Sequence, residues 1–283
     1  MPESGHVGSV RWMNEEQVQQ TLYFPLLGRA RAARRYPDLF DDPWALETAS
    51  FMEREGTPVS AMVGFPDIVY GLRHLVTVAE VRRYLADHPG AAVVNIGCGL
   101  DSLAGDLADL DCRIHNLDFP EVIELRRRWY GHTGQDSSGE RDLAYPVTDH
   151  RWMDEVDGSA GMVAVAAGVF YYLEVDDVRL LVDALGRQFP GGRLCYDSES
   201  PWMMEGSERQ IRKHGTQDAA MPFRVKRPES VRDWSPTVTD VVVTHSFVGA
   251  VPPERRGLLP WRYRAMFRCI AALRAMYEVR VSF

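Results

Sequence analysis

A strand-like run followed at once by two glycines constrains this chain more than any other feature of its sequence. The apolar run Ala91–Ile96 ends in Gly97 and Gly99, and glycines there can adopt positive φ angles and let a ligand approach the backbone closely. The next apolar run ends in Asp118, and an acid at the tip of a parallel strand can accept hydrogen bonds from both hydroxyls of a ribose. This order of elements predicts an α/β fold that binds a nucleoside-containing cofactor.

The rest of the chain alternates between strand-like and helix-like segments. Such alternation implies right-handed parallel crossovers and a doubly wound, mostly parallel seven-stranded sheet. Strands are predicted at 92–97, 112–117, 143–147, 161–166, 192–197, 238–245 and 276–282. Helices are predicted between most of them, at 101–109, 119–130, 175–188, 203–213 and 261–274. We expect residues 131–142 to form a solvated loop.

The segment before the first strand has a helical pattern. Residues 1–11 are predicted to be a disordered leader, and Asp42 followed by Pro43 is a good helix start. Prolines are expected to break the helical pattern, at Pro25, Pro37, Pro43, Pro58 and Pro66. We therefore expect residues 1–88 to form a helical cap over the cofactor site. Residues 89–283 form the core in this interpretation, with 198–236 as an insertion after the fifth strand.

Composition excludes several classes of partner. The 283 residues carry a net charge of −8, which repels nucleic acid and anionic membranes. The four cysteines lack any C-x-x-C pairing, so no metal site is expected and a reducing compartment is favoured. Neither a signal peptide nor a membrane-spanning run is apparent. These observations predict a cytoplasmic protein with neither nucleic acid nor membrane as a partner. A small-molecule substrate and a monomeric or homodimeric state are further expectations that composition does not decide.

The glycine turn differs from that of a dinucleotide dehydrogenase. Ser102 stands where G-x-G-x-x-G has its third glycine, and the chain has no second glycine turn of this kind. Seven strands with an insertion after the fifth match the sheet of class I methyltransferases better. A nicotinamide-dependent dehydrogenase is kept as the weaker alternative.

Five sequence blocks together carry a resemblance to a known family. They span Thr21–Ala30, Asp42–Ala45, Asn95–Ser102, Asp118–Arg126 and Ala167–Leu173. In this order they resemble the T-x-x-x-P-x-x-x-R-A, D-P-x-A, N-L-G-x-G-L-D-T, D-x-P-x-V-I-x-x-K/R and E-G-V-x-x-Y-L elements of the leucine carboxyl methyltransferase family, which includes the tetracenomycin-type polyketide O-methyltransferases. The resemblance implies a Rossmann-like class I fold and S-adenosylmethionine as cofactor, with transfer of its methyl group to oxygen.

The resemblance also implies roles for single residues. Gly97 and Gly99 would lie against the methionine and ribose, and Asp118 would bind the ribose hydroxyls. Arg73 matches the arginine that pairs with the cofactor carboxylate, which a guanidinium can do bidentately. A second carboxylate partner and the adenine pocket are assigned more loosely. These assignments are Arg29 or Arg31 for the carboxylate, Val147 and Thr148 for the adenine, and Asp149 for its amino group.

Departures from the family pattern leave a second function open. Ala167 replaces the glutamate of E-G-V near the cofactor, and Leu103 stands where many members have arginine. Both changes favour a small-molecule branch of the family. The alternative is a protein that binds S-adenosylmethionine but has lost or replaced methyl transfer.

The acceptor side is less defined by the sequence. A phenol acceptor would profit from a general base, whereas a carboxylate acceptor is already ionised at pH 7. His214, His245 and Tyr171 are the catalytic candidates, although an ordinary surface or core position is the more common role for each histidine. Asp101 can contact the methionine amine or cap a helix. The predicted substrate pocket contains Tyr171, Tyr172, Trp202 and Met203, with core packing as the alternative.

Overall fold

A seven-stranded sheet forms the centre of the fold. The computed structural model describes residues 15–56, 67–133, 139–213 and 220–283. The strand order is β3-β2-β1-β4-β5-β7-β6, and β7 runs antiparallel to both β5 and β6. The strands are β1 Ala92–Ile96, β2 Arg113–Asp118, β3 Glu140–Ala144, β4 Met162–Ala166, β5 Arg193–Glu199, β6 Asp240–Thr244 and β7 Met276–Ser282. The predicted doubly wound, mostly parallel seven-stranded sheet is confirmed.

The middle of the sheet is its most buried part. Every residue of β1 and β4 is buried, because helices cover both faces of a parallel sheet. One apolar cluster joins these strands to α5, and a second joins their other face to α3. The central strands are consequently short apolar runs, which is why the sequence located them well.

Seven helices of more than three turns accompany the sheet in the described residues. They are α1 Glu15–Arg35, α2 Pro43–Arg54, α3 Asp67–Leu85, α4 Pro120–Thr133, α5 Val175–Gln188, α6 Pro201–Lys213 and α7 Trp261–Ala272. As predicted, α2 begins at Pro43, and the carboxylate of Asp42 caps it by accepting from the Ala45 amide at 2.9 Å. Within the described ranges, no helix combines the length and apolar character needed to cross a membrane.

The predicted helix break at Pro25 is wrong, because α1 continues through this residue. A proline inside a helix removes one backbone hydrogen bond and crowds the preceding turn. Here the residues that follow it, Leu26, Leu27 and Ala30, are buried against α2 and the glycine turn. Their burial offsets the cost of the proline. The predicted leader 1–11, together with Pro58 and Pro66, lies outside the described residues.

The predicted helix at 101–109 is also wrong, because turns occupy this segment. Leu103 and Leu107 are buried as an amphipathic helix would require, and a single hydrogen bond from the Leu107 amide to the Leu103 carbonyl joins them. The segment's acids instead bind basic side chains of α1 and α3: Asp101 binds Arg29, Asp106 binds His74 and Asp109 binds Arg82. Acids late in such a segment would also oppose a helix dipole.

The third strand lies earlier than predicted, at Glu140–Ala144 rather than 143–147. Its first residues are polar and were assigned to the solvated loop 131–142, although α4 extends to Thr133 on the other side. The Glu140 side chain is only 1% exposed and pairs with the equally buried Arg126 at 3.0 Å. The strand was missed at its start because its buried residue Glu140 is charged, and charged residues in a row are typical of a loop.

Candidate active site

A cavity of about 340 Å³ lies at the carboxyl ends of β2, β1, β4 and β5. Strand β1 pairs with β2 on one of its edges and with β4 on the other. The direction in which the chain adds strands to the sheet therefore reverses at β1. Such a switch point is where open α/β sheets bind their ligands. Residues of α1, α3 and α6 complete the wall of the cavity.

The glycine turn after β1 forms the floor of the cavity on this side. Gly97 has φ 61° and Gly99 has φ 52°, a region that side chains disfavour. A Cβ atom on Gly97 would lie 2.5 Å from Cγ2 of Val169. The turn therefore needs glycine for its conformation and for its close packing against the segment after β4.

Asp118 supports this turn from the end of β2. One carboxylate oxygen accepts from the Gly99 amide and the other from the Phe119 amide, both at 2.8 Å. Burial raises the pKa of Asp118 to about 6, because it disfavours the charged form. Each oxygen has a further lone pair for a ligand. The carboxylate lines the cavity, as predicted for a ribose-binding acid.

Arg29 lies at the α1 side of the cavity within a buried charge network. Its Nε donates to Asp42 at 2.7 Å, and its guanidinium also binds Asp101. Although burial lowers it, the carboxylates of Asp101 and Asp106 raise the pKa of His74 to about 9, so this imidazole is protonated at neutral pH. Asp101 lines the cavity, and its interpretation as a helix cap is wrong because no helix follows it.

Arg73 reaches the cavity from α3 and is held by a residue that the sequence analysis missed. Its Nε lies 2.9 Å from the carboxylate of Asp197 on β5. The same carboxylate accepts from the Gly168 amide at 2.6 Å and from the Tyr171 hydroxyl at 3.0 Å. Ala166 of β4 pairs with Tyr196 of β5. Ala167 and Asp197 are the next residues of these two parallel strands, so they lie side by side. The neighbouring strand thus supplies a carboxylate close to the position where the family has a glutamate.

Glu199, the last residue of β5, is a second cavity residue that the sequence analysis missed. Only 3% of it is exposed, and Ser207 of α6 donates to its Oε2 at 2.7 Å. Burial raises the pKa of Glu199 to about 7. A signal was present in the sequence, since Glu199 ends its strand as Asp118 ends β2.

Eight of the predicted site residues lie together around the cavity. The six cofactor positions are Arg29, Arg73, Gly97, Gly99, Asp118 and Ala167, and the two predicted pocket tyrosines are Tyr171 and Tyr172. The residues come from α1, α3 and the ends of three strands. Sequence blocks far apart in the chain are therefore assembled at one end of the sheet.

The predicted adenine contacts lie elsewhere. Val147, Thr148 and Asp149 do not line the cavity. Asp149 instead caps the short 3-10 helix His150–Glu155 and binds Nε of Arg151 at 2.9 Å. The physical reason is that β3 ends at Ala144, so these residues follow the strand at some distance instead of forming its tip.

Of the residues predicted to bind the acceptor, the two tyrosines line the cavity and the two α6 residues do not. Trp202 is 55% exposed, and neither Trp202 nor Met203 lines the cavity. The next residue, Met204, is fully buried and packs with Tyr171 and Met221. The inward face of α6 therefore differs from the predicted one by one residue.

His245 and Arg31 do not line the cavity. His245 lies beside β7, where its Nδ1 is 3.1 Å from the Met276 carbonyl and its ring contacts Tyr277. Arg31 points to the other side of α1 and pairs with Asp67 at 2.9 Å. His214 lies outside the described residues. No described histidine other than His74 lines the cavity.

The cavity fits the expected cofactor in its unpaired polar groups as well as in its backbone. Asn95 lines the cavity, and its buried Nδ2 has no hydrogen-bond partner among the residues that the structure describes. Such a donor is costly without a ligand. With the glycine turn and the Asp118 carboxylate it forms one continuous polar wall beside β1 and β2. These groups would hold the nucleoside and amino-acid parts of S-adenosylmethionine.

Comparison with known proteins agrees with the sequence resemblance. The sequence profile of the leucine carboxyl methyltransferase family matches residues 24–186. The tetracenomycin polyketide synthesis O-methyltransferase TcmP of Streptomyces glaucescens is 36% identical over 190 residues, covering 66% of this chain and 68% of that protein. Rv3787c of Mycobacterium tuberculosis H37Rv, named as an S-adenosyl-L-methionine-dependent methyltransferase, is 28% identical over 209 residues with the same coverage.

A solved structure supports the fold. An S-adenosylmethionine-dependent methyltransferase from Mesorhizobium loti superposes with a TM-score of 0.51 and 16% identity, covering 74% of this chain and 100% of that one. At this identity the likeness concerns the fold alone. The matches favour the methyltransferase interpretation over the nicotinamide-dependent dehydrogenase.

Proposed function

Since this chain belongs to the leucine carboxyl methyltransferase family of S-adenosylmethionine-dependent enzymes, we propose that it methylates an oxygen of a small, aromatic or polyketide-like metabolite. The observation that carries the proposal is a single cavity with two kinds of wall. The glycine turn, Asn95 and Asp118 line it beside β1 and β2, and aromatic side chains line it beside β4 and α3.

The polar wall would hold the methyl donor. Asp118 would accept from the ribose hydroxyls, and Arg73 or Arg29 would bind the carboxylate of the methionine part. When bound, the donor supplies an electrophilic methyl group whose leaving group is a neutral sulfide. The chain's own contribution is to fix donor and acceptor in line, and proximity of this kind is worth on the order of 7–11 kcal/mol at best.

The aromatic wall would hold the acceptor. Tyr70, Tyr171, Tyr172 and Met221 line the cavity at the α3, β4 and α6 side. Flat aromatic rings and a flexible thioether suit a planar apolar ligand. The 36% identical TcmP, whose name places it in polyketide synthesis, supports the same class of acceptor.

Calorimetry and a methyl-transfer screen together test the proposal. The purified protein is expected to bind S-adenosylmethionine and S-adenosylhomocysteine, and to transfer radiolabelled methyl groups to members of a panel of polycyclic phenols and aromatic acids. No heat with either nucleoside at high micromolar concentration would contradict the proposal.

A second candidate function follows from Ala167, which removes the family glutamate from the cavity wall. It is a protein that binds the nucleoside and has lost or replaced methyl transfer. Its signature is calorimetric binding of S-adenosylhomocysteine with no labelled product from any acceptor in the panel.

A further inference from the structure

We propose that Asp197 is a positioning residue for methyl transfer, because it holds Arg73 for the carboxylate of the methyl donor and Tyr171 for the acceptor. This inference rests on the proposed methyltransferase function and deepens it, since it concerns how the chain keeps donor and acceptor in line. Asp197 is only 4% exposed and does not line the cavity. It therefore acts on both ligands through other side chains.

The carboxylate of Asp197 joins three separate parts of the site. Its Oδ2 lies 2.9 Å from Nε of Arg73 on α3 and accepts from the Tyr171 hydroxyl at 3.0 Å. Its Oδ1 accepts from the Gly168 amide at 2.6 Å, in the segment after β4. Because β5 pairs with β4 on one edge and with β7 on the other, its backbone is fixed on both sides. The carboxylate is therefore a fixed point to which α3 and the segment after β4 are both attached.

Arg73 keeps the outer edge of its guanidinium open. Its Nε is paired with Asp197, and its Cζ lies 5.8 Å from the ring centres of Tyr70 and Tyr171. Neither Nη1 nor Nη2 donates a hydrogen bond to a residue that the structure describes, and both belong to a side chain that lines the cavity. A guanidinium with two free Nη groups can bind one carboxylate bidentately.

Arg29, the other arginine among the described residues that line the cavity, has no such open edge. Its Nε binds Asp42, one Nη binds Asp101, and the other Nη lies 3.5 Å from Nε2 of His74. All three nitrogens therefore face side chains of the protein. Every molecule of S-adenosylmethionine brings a carboxylate, and at Arg73 that carboxylate finds two nitrogens without displacing a partner. This difference favours Arg73 as the residue that binds it.

Gly168 lets Arg73 lie close to the segment after β4. It has φ 75°, and a Cβ atom there would lie 2.9 Å from Nη1 of Arg73. The preceding residue, Ala167, stands where the family has a glutamate, and Asp197 lies beside it on the next strand. The acid that Ala167 does not provide is thus supplied from β5, behind the cavity wall. From there it holds the arginine and the turn without touching a ligand.

Tyr171 presents its ring to the cavity while its hydroxyl is bound behind the wall. The residue is 4% exposed and packs against Met204 and Met221, and its hydroxyl donates to Asp197. Burial and the carboxylate of Asp197 raise the pKa of Tyr171 well above its usual value. Tyr171 therefore serves as a fixed part of the acceptor wall and not as a base.

The shared oxygen predicts that the two sides of the cavity are coupled. Arg73 and the Tyr171 hydroxyl both meet Oδ2 of Asp197, so a change at one alters how the carboxylate holds the other. An effect of Tyr171 on donor binding would pass through Asp197. It should vanish once the carboxylate is gone, which is the mark of residues that act as one network.

The main experiment measures affinity for S-adenosylhomocysteine by calorimetry in a double-mutant cycle. Asp197→Asn keeps an oxygen for the Gly168 amide but loses the charge that holds Arg73, so we expect affinity to fall by about tenfold or more. Tyr171→Phe is expected to weaken binding by about threefold to tenfold. The double variant should bind no worse than Asp197→Asn alone, because the hydroxyl acts through the carboxylate.

Tyr196→Phe is the matched control for the loss of a tyrosine hydroxyl. Tyr196 precedes Asp197 in β5, is buried, does not line the cavity and has no hydrogen bond to the Asp197 carboxylate. Its variant should bind S-adenosylhomocysteine within about twofold of wild type.

A second ligand separates positioning from a general loss of structure. Methylthioadenosine keeps the adenosine and the sulfur of S-adenosylhomocysteine but lacks the amino-acid part, so it has no carboxylate for Arg73. Asp197→Asn and Arg73→Met should each weaken S-adenosylhomocysteine while leaving methylthioadenosine within about twofold of wild type. In the Arg73→Met background, the further change Asp197→Asn should have no additional effect on S-adenosylhomocysteine.

The contrary results are distinct. Equal losses for the two nucleosides in Asp197→Asn would make its role structural and overturn the inference. Full affinity for S-adenosylhomocysteine in Arg73→Met, or an effect of Tyr171→Phe that persists without the carboxylate, would also overturn it. If Asp197→Asn does not fold, Tyr171→Phe against Tyr196→Phe carries the test, and equal affinities would overturn the coupling. Failure of the wild type to bind either nucleoside would instead overturn the proposed function.

Discussion

The carboxylate of Asp118 holds the glycine turn before any ligand arrives. Its two oxygens accept from the amides of Gly99 and Phe119, so the turn and the start of the following helix are joined through one side chain. Ribose hydroxyls would add to these bonds without replacing them, because each oxygen has another lone pair. Preorganisation of this kind lowers the cost of binding.

Replacing Asp118 should weaken cofactor binding. In Asp118→Ala the ribose acceptor is lost, and we expect calorimetry with S-adenosylhomocysteine to show affinity lower by about 1–3 kcal/mol. Asp118→Asn, which keeps one carbonyl oxygen, should lose less. The exposed Asp154 offers a control, and Asp154→Ala should bind as wild type does. Unchanged affinity in a folded Asp118→Ala protein would remove the ribose-binding role.

Residue roles were predictable where the backbone fixes them. Gly97, Gly99 and Asp118 occupy strand ends that apolar runs mark, so their meeting follows from the topology of a parallel sheet. Glu199 shares the strand-end position of Asp118, but its contact with Ser207 comes from α6, and the partner of Asp197 comes from α3. No local pattern of β5 reveals these two contacts. His245 was predicted as a base because histidine as a residue type serves in proton transfer, but it lies beside β7 and does not line the cavity.

At the scale of elements, the turn after β1 depends on conformations that only glycine adopts easily. Gly97→Ala should reduce the free energy of unfolding by about 1–3 kcal/mol, because the residue has φ 61° and its Cβ would collide with Val169. Gly105→Ala is the matched control, since no atom lies within 4 Å of its added Cβ, and should change stability by less than about 1 kcal/mol. Urea unfolding measures both, and equal effects would contradict the assigned strain.

The α6 helix should respond to substitution on one face only. Met204→Ala removes a fully buried side chain beside Tyr171 and should cost about 2–5 kcal/mol in unfolding free energy. Trp202→Ala, on the exposed face, should cost less than about 1 kcal/mol. Thermal and urea unfolding of the two variants are compared directly. If Trp202→Ala lost more unfolding free energy than Met204→Ala, the face of α6 that carries Trp202 would be the buried one.

Helices and strands were predictable where the hydrophobic pattern of the segment matches the side of it that is buried in the fold. The central strands β1 and β4 were located within one residue because burial on both faces makes them apolar. The helix expected at 101–109 failed because its acids have partners on α1 and α3, and β3 was shifted because Glu140 is paired inside. Long-range ion pairs therefore account for both errors.

For the whole molecule, several buried groups link stability to pH in one direction. Burial raises the pKa of Asp118 to about 6, Glu199 to about 7 and Glu278 to about 8, and the neighbouring carboxylates, against burial, raise His74 to about 9. Above its unfolded pKa, each group binds more protons in the native than in the unfolded state until its native pKa is passed. Rising pH therefore removes stability over this whole window.

We expect the unfolding free energy to fall between about pH 6 and pH 9, by on the order of 1–3 kcal/mol. Urea unfolding followed by tryptophan fluorescence at several pH values provides the measurement. Glu278→Gln should flatten the upper part of the curve, because it removes the carboxyl with the highest native pKa. A stability that increases over this range would show that other groups dominate the linkage.

The antiparallel β7 has a consequence for synthesis on the ribosome. In the described sheet, β6 pairs with β7 and with no other strand, and β7 follows it only after α7. A nascent chain that has produced β1–β5 already has the strand ends that surround the cavity, yet β5 retains an open edge and β6 has nothing to pair with. Unprotected edges invite association with other chains. The interval between the synthesis of β6 and that of β7 is therefore the one in which the nascent sheet leaves β5 and β6 unpaired at their edges.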